Sequence, residues 1–465
     1  MTERREMLGA DTVLHAIGGV LIHGDPNASF SGVSTDSRSI EPGELFFALR
    51  GEKFDGHHFI SEVVRRGGAG VVVQTAVHGI ENGPVAVMMV PDTLQALGDL
   101  ANFWRKEHAI PLVAVVGSNG KTTTKEMLAR ILEERYRVLK NPGNLNNLIG
   151  LPLSLLKMNS RDQVAVLEMG MNRKGEIRRL TQIAQPNIAI LTNINPVHLE
   201  ELGSLDGVVE AKAELVEMMG DTGRLIYNAD DPRVTEISGR FKGQRTSFGI
   251  SSSADWVATR IVSKPEGEVS FRLRGPVAAV SVSLRTVGHH QVYNALAASA
   301  AASQLGATPE EIKEGLKAFQ STSMRMEMLT LGKGIRVIND TYNANPRAMQ
   351  LALSTLQAVA RGRRIAVLGD MAELGTYAAQ AHQDVGHWVA ESAVDLLFLL
   401  GDCAPYVMKG ATESGMPGSA ITVEKDHREL SHHLAQSLQP GDWVLVKGSR
   451  KMKMEKVIEE LRNIL

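Results

Sequence analysis

At 465 residues the chain is long enough for about three domains of ~150 residues each. Its 43% hydrophobic and 22% charged residues are those of an ordinary globular protein, and a formal net charge of -2 excludes bulk electrostatic attraction to nucleic acid or to a membrane. A single cysteine, Cys403, excludes an intrachain disulfide and a cysteine-rich metal site, and its expected role is that of a small buried or incidental thiol. Arg4 and Arg5 precede a stretch broken by Glu6, Asp11 and His15, so no secretory leader is expected. No run approaches the ~20 apolar residues of a bilayer span. A reducing, cytoplasmic setting is the expectation.

In chain order, three regions differ in texture. Residues 1–107 carry short strand-like runs, Gly68–Gln74 and Val85–Val90, with turns between them. Residues 108–322 alternate strand and helix patterns, which predicts a parallel sheet covered on both faces. The first strand, Leu112–Val116, runs into Gly117, Ser118, Asn119, Gly120, Lys121, Thr122, Thr123 and Thr124, after which Met127, Leu128, Ile131 and Leu132 recur at helical spacing. Phosphate binding needs this order. Glycines let backbone N–H groups approach the anion, the helix N-terminus favours negative charge, Lys121 adds a point charge and the Thr122 hydroxyl can reach Mg²⁺. The strict pattern has a further glycine five residues before Gly120, where Val115 stands, so this is a shortened phosphate loop. A purely structural glycine turn is the alternative.

The next strands, Gln163–Leu167 and Ile188–Thr192, each end near a chemically able side chain. Glu168 is placed for Mg²⁺ or for capping a helix, and His198 for a ligand or an ordinary loop hydrogen bond. Around Lys212, Val208, Val209, Leu215, Val216 and Met219 fall on one helical arc with the lysine near its middle, whereas Glu210, Glu214 and Glu217 are expected to face solvent. The lysine therefore either snorkels along apolar surface or turns into a site where a lowered pKa makes it modifiable. The alternating stretch Glu266–Thr286 predicts an antiparallel addition, and Gly288 opens a loop, with His289 and His290 expected at the surface, into a small-residue helix carrying Asn294.

Residues 323–465 form a second α/β unit, with strands at Ile335–Ile338, Arg364–Gly369, Asp395–Gly401 and Trp443–Val446. Met324–Glu327 precedes its first strand, and Asn339–Pro346 follows as a polar binding loop or a capped helix start. The run from Lys447 to Glu455 is either a solvated basic face or an anion-binding strand end.

Together these motifs resemble the Mur ligase family over essentially the whole chain. The resemblance implies an α/β fold of three domains. A central parallel-sheet ATPase domain with the phosphate loop (108–322) would be flanked by a smaller N-terminal α/β domain binding a UDP-sugar (1–107) and a C-terminal Rossmann-like α/β domain binding the incoming amino component and part of ATP (323–465). It implies ATP, two Mg²⁺ ions and a carbamylated Lys212 as cofactors. Gly117–Thr123, Asn294, Arg325 and Asp340 would hold the nucleotide. Thr122, Glu168, His198 and Lys212 would hold metal, and Lys121, Lys212 and His198 would be catalytic. Gln291 departs from the family's usual asparagine, which leaves its role open.

Within the family, three motifs favour the branch that joins D-alanyl-D-alanine to a UDP-N-acetylmuramoyl tripeptide. The first is Ser34, Thr35, Asp36, Ser37 and Arg38, with Pro42–Phe46 and Phe54–Phe59, including Asp55. The second is Asn141–Gly150, with Asn144, Asn146 and Asn147. The third is Thr341–Pro346, with Tyr342, Asn343 and Asn345. The first two sets would meet the nucleotide-sugar, and Asn343 and Asn345 the dipeptide. A sister ligase adding a diamino acid to the dipeptide precursor remains as an alternative, as does a phosphate-loop ATPase or binding module without ligase activity. A monomer is expected, with these two substrates and neither nucleic acid nor inserted membrane as partners.

Overall fold

The computed structural model describes residues 7–77, 85–264, 267–276 and 278–465; Arg4, Arg5, Glu6 and Glu266 lie outside the described residues. Three larger sheets organise the chain. The N-terminal one has five strands in the order Val20–His23, Ala86–Met89, Gly70–Val73, Leu45–Phe47, Val33–Ser34, all parallel except for the first pair. The central sheet has nine strands. Its parallel part runs Trp256–Lys264, Gln244–Gly249, Arg224–Asn228, Ile188–Leu191, Leu112–Val116, Val164–Glu168, Val138–Lys140. Glu268–Gly275 and Ala278–Leu284 extend it antiparallel beyond Trp256–Lys264, as the alternating pattern predicts. The C-terminal sheet orders Glu327–Thr330, Arg336–Asp340, Trp443–Lys447, Arg364–Gly369, Leu396–Leu400, Ile421–Glu424, with only the first pair antiparallel. This is the three-domain α/β fold expected above. The strands Glu327–Thr330 and Ile421–Glu424 were not expected, being short, half-buried edges with no continuous apolar run.

The apolar runs are buried on both faces. Leu112, Ala114 and Val116 enter one core, while Val113 and Val115 enter the core on the other side of the same sheet. Such a strand cannot move without disturbing two packed layers, so the loops leaving its C-terminal end are held rigidly. The phosphate loop, Glu168 and the Thr192–His198 segment all leave this edge of the central sheet, and Asp340 and Lys447 end adjacent strands of the C-terminal sheet.

The helix Leu205–Met218 starts at a Ser204 cap and buries Val208, Val209, Leu215 and Val216, with Lys212 only 3% exposed. Glu214 does not face solvent as expected. It is buried, and its two carboxylate oxygens accept the N–H groups of Gly175 (2.8 Å) and Arg178 (3.0 Å), capping the neighbouring helix Glu176–Ala184. A carboxylate at a helix N-terminus satisfies orphan donors and meets the positive end of the dipole, which outweighs its burial here. Glu214→Ala should leave those donors unpaired and lower stability by roughly 1–3 kcal/mol, with Glu214→Gln losing less. Urea unfolding followed by circular dichroism checks both.

Candidate active site

The edges of the central and C-terminal sheets enclose a cavity of about 320 Å³. Gly117–Thr123 form one wall. Asn144, Asn146, Glu168, His198 and Lys212 line it from the central domain, together with Asn294. Arg325, Asp340, Tyr342, Asn343, Asn345 and Lys447 line it from the C-terminal domain.

Glu168 is the electrostatic centre of this wall. Thr122 Oγ1 donates to its Oε2 at 2.5 Å and Asn146 Nδ2 to its Oε1 at 2.7 Å, so a buried carboxylate is met only by neutral donors. Its backbone is clamped as well: Asn141 accepts the Glu168 N–H at 2.9 Å and donates to the Glu168 carbonyl at 3.0 Å. Lys125, fully buried on the phosphate-loop helix Lys121–Leu132, donates to the Asn141 carbonyl at 2.5 Å.

Lys121, the point charge of the loop, folds its ammonium back on the carbonyls of Gly117 (2.9 Å) and Ser118 (3.3 Å). Burial pushes its pKa below the ordinary lysine value, opposed by the charge of Glu168. Burial drives Lys212 well below its ordinary value, and Lys121 adds repulsion. The Lys212 amine makes no hydrogen bond or ion pair with another described residue.

The phosphate loop is tight enough to exclude side chains at two points. Gly117 has φ +154° and Gly120 φ +81°, and a Cβ on either would collide, with Thr192 and with the Asn294 amide respectively. Asn294 therefore packs directly beneath the loop, where Thr124 Oγ1 donates to its Oδ1 at 3.3 Å. Gln291, left open by sequence, accepts from Asn294 Nδ2 at 2.9 Å and so fixes the orientation of that amide.

On the opposite wall the Arg325 guanidinium stacks 3.7 Å from the centre of the Tyr342 ring. Lys447 is only 2% exposed, not part of a solvated basic face. It donates to Asp340 Oδ2 at 2.5 Å and to the Asn343 carbonyl at 2.9 Å. Asp340 Oδ1 accepts the Met326 N–H at 3.1 Å, so both its oxygens already tie the loop together.

Asn345, expected at the dipeptide, lines the cavity and is also tied into the fold. It is the cap of the helix Pro346–Val359, its Oδ1 accepting the Ala348 N–H at 2.9 Å, while its Nδ2 donates to Asn119 Oδ1 at 2.7 Å. Asn119 Nδ2 returns a bond to Asn345 Oδ1 at 3.3 Å, so the two amides pair across the domains. Asn345→Ala should therefore weaken the cap and the domain contact together, in addition to any loss at the dipeptide.

Seven expected substrate residues stand away from this cavity. Ser34, Thr35, Asp36, Ser37, Arg38 and Asp55 belong to the N-terminal domain, and Asn147 caps the helix Gly150–Leu155 through the N–H groups of Ile149 (3.2 Å) and Gly150 (2.8 Å). Arg38 grips Asp36 with both forks, Nε to Oδ1 at 2.9 Å and Nη2 to Oδ2 at 2.7 Å, holding the Asp36 carboxyl down to about 2. Asp55 caps the turn Gly56–Phe59 and pairs with His57 at 2.5 Å and Arg50 at 3.0 Å.

Asp370, His382 and Cys403 cluster within 4.8 Å of one another. Met371 N–H donates to His382 Nε2 and the other ring nitrogen bonds the Ala378 carbonyl, while Asp370 accepts the N–H groups of Asp402 and Cys403. These bonds make it a structural knot between strand ends. Burial and the two neighbouring carboxylates push the Cys403 thiol up, against any nucleophilic role.

His290 was expected at the surface. Its ring lines the cavity with Nδ1 buried and unpartnered among the described residues, and burial lowers its pKa from 6.5 to about 4. Between those values the unfolded chain binds a proton that the folded chain does not, so stability should fall as pH drops from about 6.5 to about 4. Thermal unfolding across that range should show this slope, and His290→Gln should flatten it.

The chain matches the Mur ligase middle domain over residues 115–302, the Mur ligase glutamate ligase domain over 324–450 and the Mur ligase family catalytic domain over 29–105. It is 36% identical over 433 residues to the UDP-N-acetylmuramoyl-tripeptide–D-alanyl-D-alanine ligase of Bacillus subtilis, covering 92% of this chain and 93% of that protein. The Escherichia coli enzyme of the same name is 35% identical, with 92% and 93% covered. A crystal structure of MurF from Acinetobacter baumannii superposes with a TM-score of 0.91 at 34% identity, covering 99% of this chain and all of that one. MurF ligase from Thermotoga maritima in complex with ADP gives 0.83 at 28% identity, with 93% and 97% covered. Fold, site and sequence agree: this chain belongs to the Mur ligase family.

Proposed function

We propose that the chain forms a peptide bond at the expense of ATP, joining D-alanyl-D-alanine to UDP-N-acetylmuramoyl-tripeptide in peptidoglycan precursor synthesis. The observation that carries this reading is the convergence of a phosphate loop, a clamped carboxylate and a buried, unpaired amine in one cavity closed by a second α/β domain. The names of the relatives that match nearly end to end favour this activity over diamino-acid addition and over a bare ATPase.

ATP phosphorylates the terminal carboxylate of the tripeptide, giving an acyl phosphate and ADP. The dipeptide amine attacks the acyl carbon, and phosphate leaves from the tetrahedral intermediate. Two anions must meet in the first step, so positive charge at the loop decides the rate. Lys121 supplies it from the loop itself, and Asn294 and Arg325 hold the nucleotide from either wall. Glu168 lacks a cationic partner among its hydrogen bonds, which suits a cation. Magnesium, held by Thr122, Glu168, His198 and Lys212, would neutralise phosphate charge there.

A neutral buried amine is also the form of lysine that takes up CO₂, losing a proton to give a carbamate. Carbamylation of Lys212 would replace repulsion of Lys121 by attraction and add an anionic metal ligand. The N-terminal domain would bind the nucleotide-sugar through Ser34–Arg38, Asp55 and the Asn144–Asn147 loop, with Tyr342 and Asn343 at the dipeptide. We infer a cytoplasmic reaction and a monomeric chain. Among the described residues no helix is long and apolar enough to cross a membrane.

Phosphate release should require both the UDP-muramoyl tripeptide and D-Ala-D-Ala; release with either alone would favour the bare ATPase. Lys121→Ala should abolish ligation with the fold intact by circular dichroism. Lys212→Ala should lose most activity and regain part of it in short carboxylates that fill the vacated anion position. Arg38→Ala should raise KM for the nucleotide-sugar by roughly tenfold, the worth of one charged hydrogen bond, and leave that for the dipeptide unchanged.

A further inference from the structure

His198 stands alone in the loop after the strand Ile188–Leu191, in a left-handed backbone conformation (φ 54°). Its Nδ1 lies 2.5 Å from Glu373 Oε2, a residue 175 positions later in the C-terminal domain. Glu373 is itself left-handed (φ 63°), in the loop after the strand Arg364–Gly369. The two backbones abut at this point. Glu200 N–H reaches the Glu373 carbonyl at 3.4 Å, and a Cβ on Gly375 would stand 3.4 Å from Glu200 Cα. Two non-glycine residues holding costly conformations at one contact mark it as a point the fold maintains.

His198 lines the nucleotide cavity and Glu373 does not. With Nδ1 taken by the carboxylate, the proton sits on Nδ1, and Nε2 is the nitrogen whose lone pair remains for a ligand. A carboxylate behind an imidazole fixes the ring and raises the basicity of its far nitrogen, which is how protein sites orient a histidine toward a cation.

We propose that Glu373 is a positioning residue, supplied by the C-terminal domain, that presents His198 Nε2 to a divalent cation at the nucleotide, so that this ligand is in place only when the two domains are docked. It rests on the metal role given to His198 above. Coupling follows by reciprocity: whatever the cation gains from the docked domain, the docked domain gains from the cation.

The test is Mn²⁺ binding to the full chain with a non-hydrolysable ATP analogue, read from the free-ion electron paramagnetic resonance signal, for wild type, His198→Ala, Glu373→Ala and Glu373→Gln. Loss of an orienting partner of this kind costs roughly 10–100-fold in metal affinity. Glu373→Ala should weaken Mn²⁺ by that order, like His198→Ala. Glu373→Gln, whose amide oxygen still accepts the Nδ1 proton, should lose less. Binding of the analogue without metal should be unchanged in both Glu373 variants. Weakened Mn²⁺ in His198→Ala with wild-type affinity in Glu373→Ala overturns the proposal and leaves the metal role of His198 standing. Wild-type affinity in both overturns the two together. Equal losses of metal-free and metal-dependent binding overturn it in favour of a structural tie.

Discussion

On the central-domain wall of the cavity Lys121 and Lys212 share one clamped carboxylate, Glu168, and the rest of the site is arranged around that imbalance. Lys121 and Lys212 are both desolvated and repel one another, and Glu168 opposes the shift only at Lys121. Charges removed from water need partners or change state. Lys121 finds loop carbonyls, whereas Lys212 finds none. The site thus favours phosphate against Lys121, and burial drives Lys212 toward its neutral form.

The carboxylate is the least free element of this arrangement. Glu168 ends a strand buried on both faces, its peptide groups are locked by Asn141, and Asn141 is fixed in turn by a fully buried lysine. The rigidity is inherited from the parallel sheet, whose strands stagger their ends so that successive loops converge on one edge. A second sheet facing that edge then completes the cavity. Its contacts with the first include the Asn119–Asn345 amide pair, the His198–Glu373 pair and the Glu200 N–H bond to the Glu373 carbonyl, with Val287 of the central region packed into the C-terminal core. The polar ties are directional, so they help define the docked geometry.

The C-terminal wall is self-tied in the same manner. Lys447 neutralises Asp340 and takes the Asn343 carbonyl, so the loop that carries Tyr342 is shaped before any ligand arrives. Arg325 is held by stacking on the Tyr342 ring, which leaves its hydrogen-bond donors for an anion.

Much of this was legible in the chain itself. The phosphate loop, the alternation of strands and helices and the anomalous position of Lys212 are local patterns, set by backbone geometry and periodicity within a dozen residues. Hence the α/β class and the loop follow from the sequence alone, while the apolar arc around that lysine left open whether it snorkels or turns into a site. What tertiary structure decided was partnership. Glu214 reads as solvated on its own helix, yet it caps another. Asn345 reads as a ligand residue, yet it joins a helix cap to the phosphate loop 226 positions away. His290 reads as surface, yet its ring is buried against the cavity. Lys447 and Asp340 lie 107 residues apart. Periodicity reports which side of an element is apolar. It carries no information about which distant donor will arrive to satisfy a polar group on the other side, and that is fixed only when separate sheets bring their edges together.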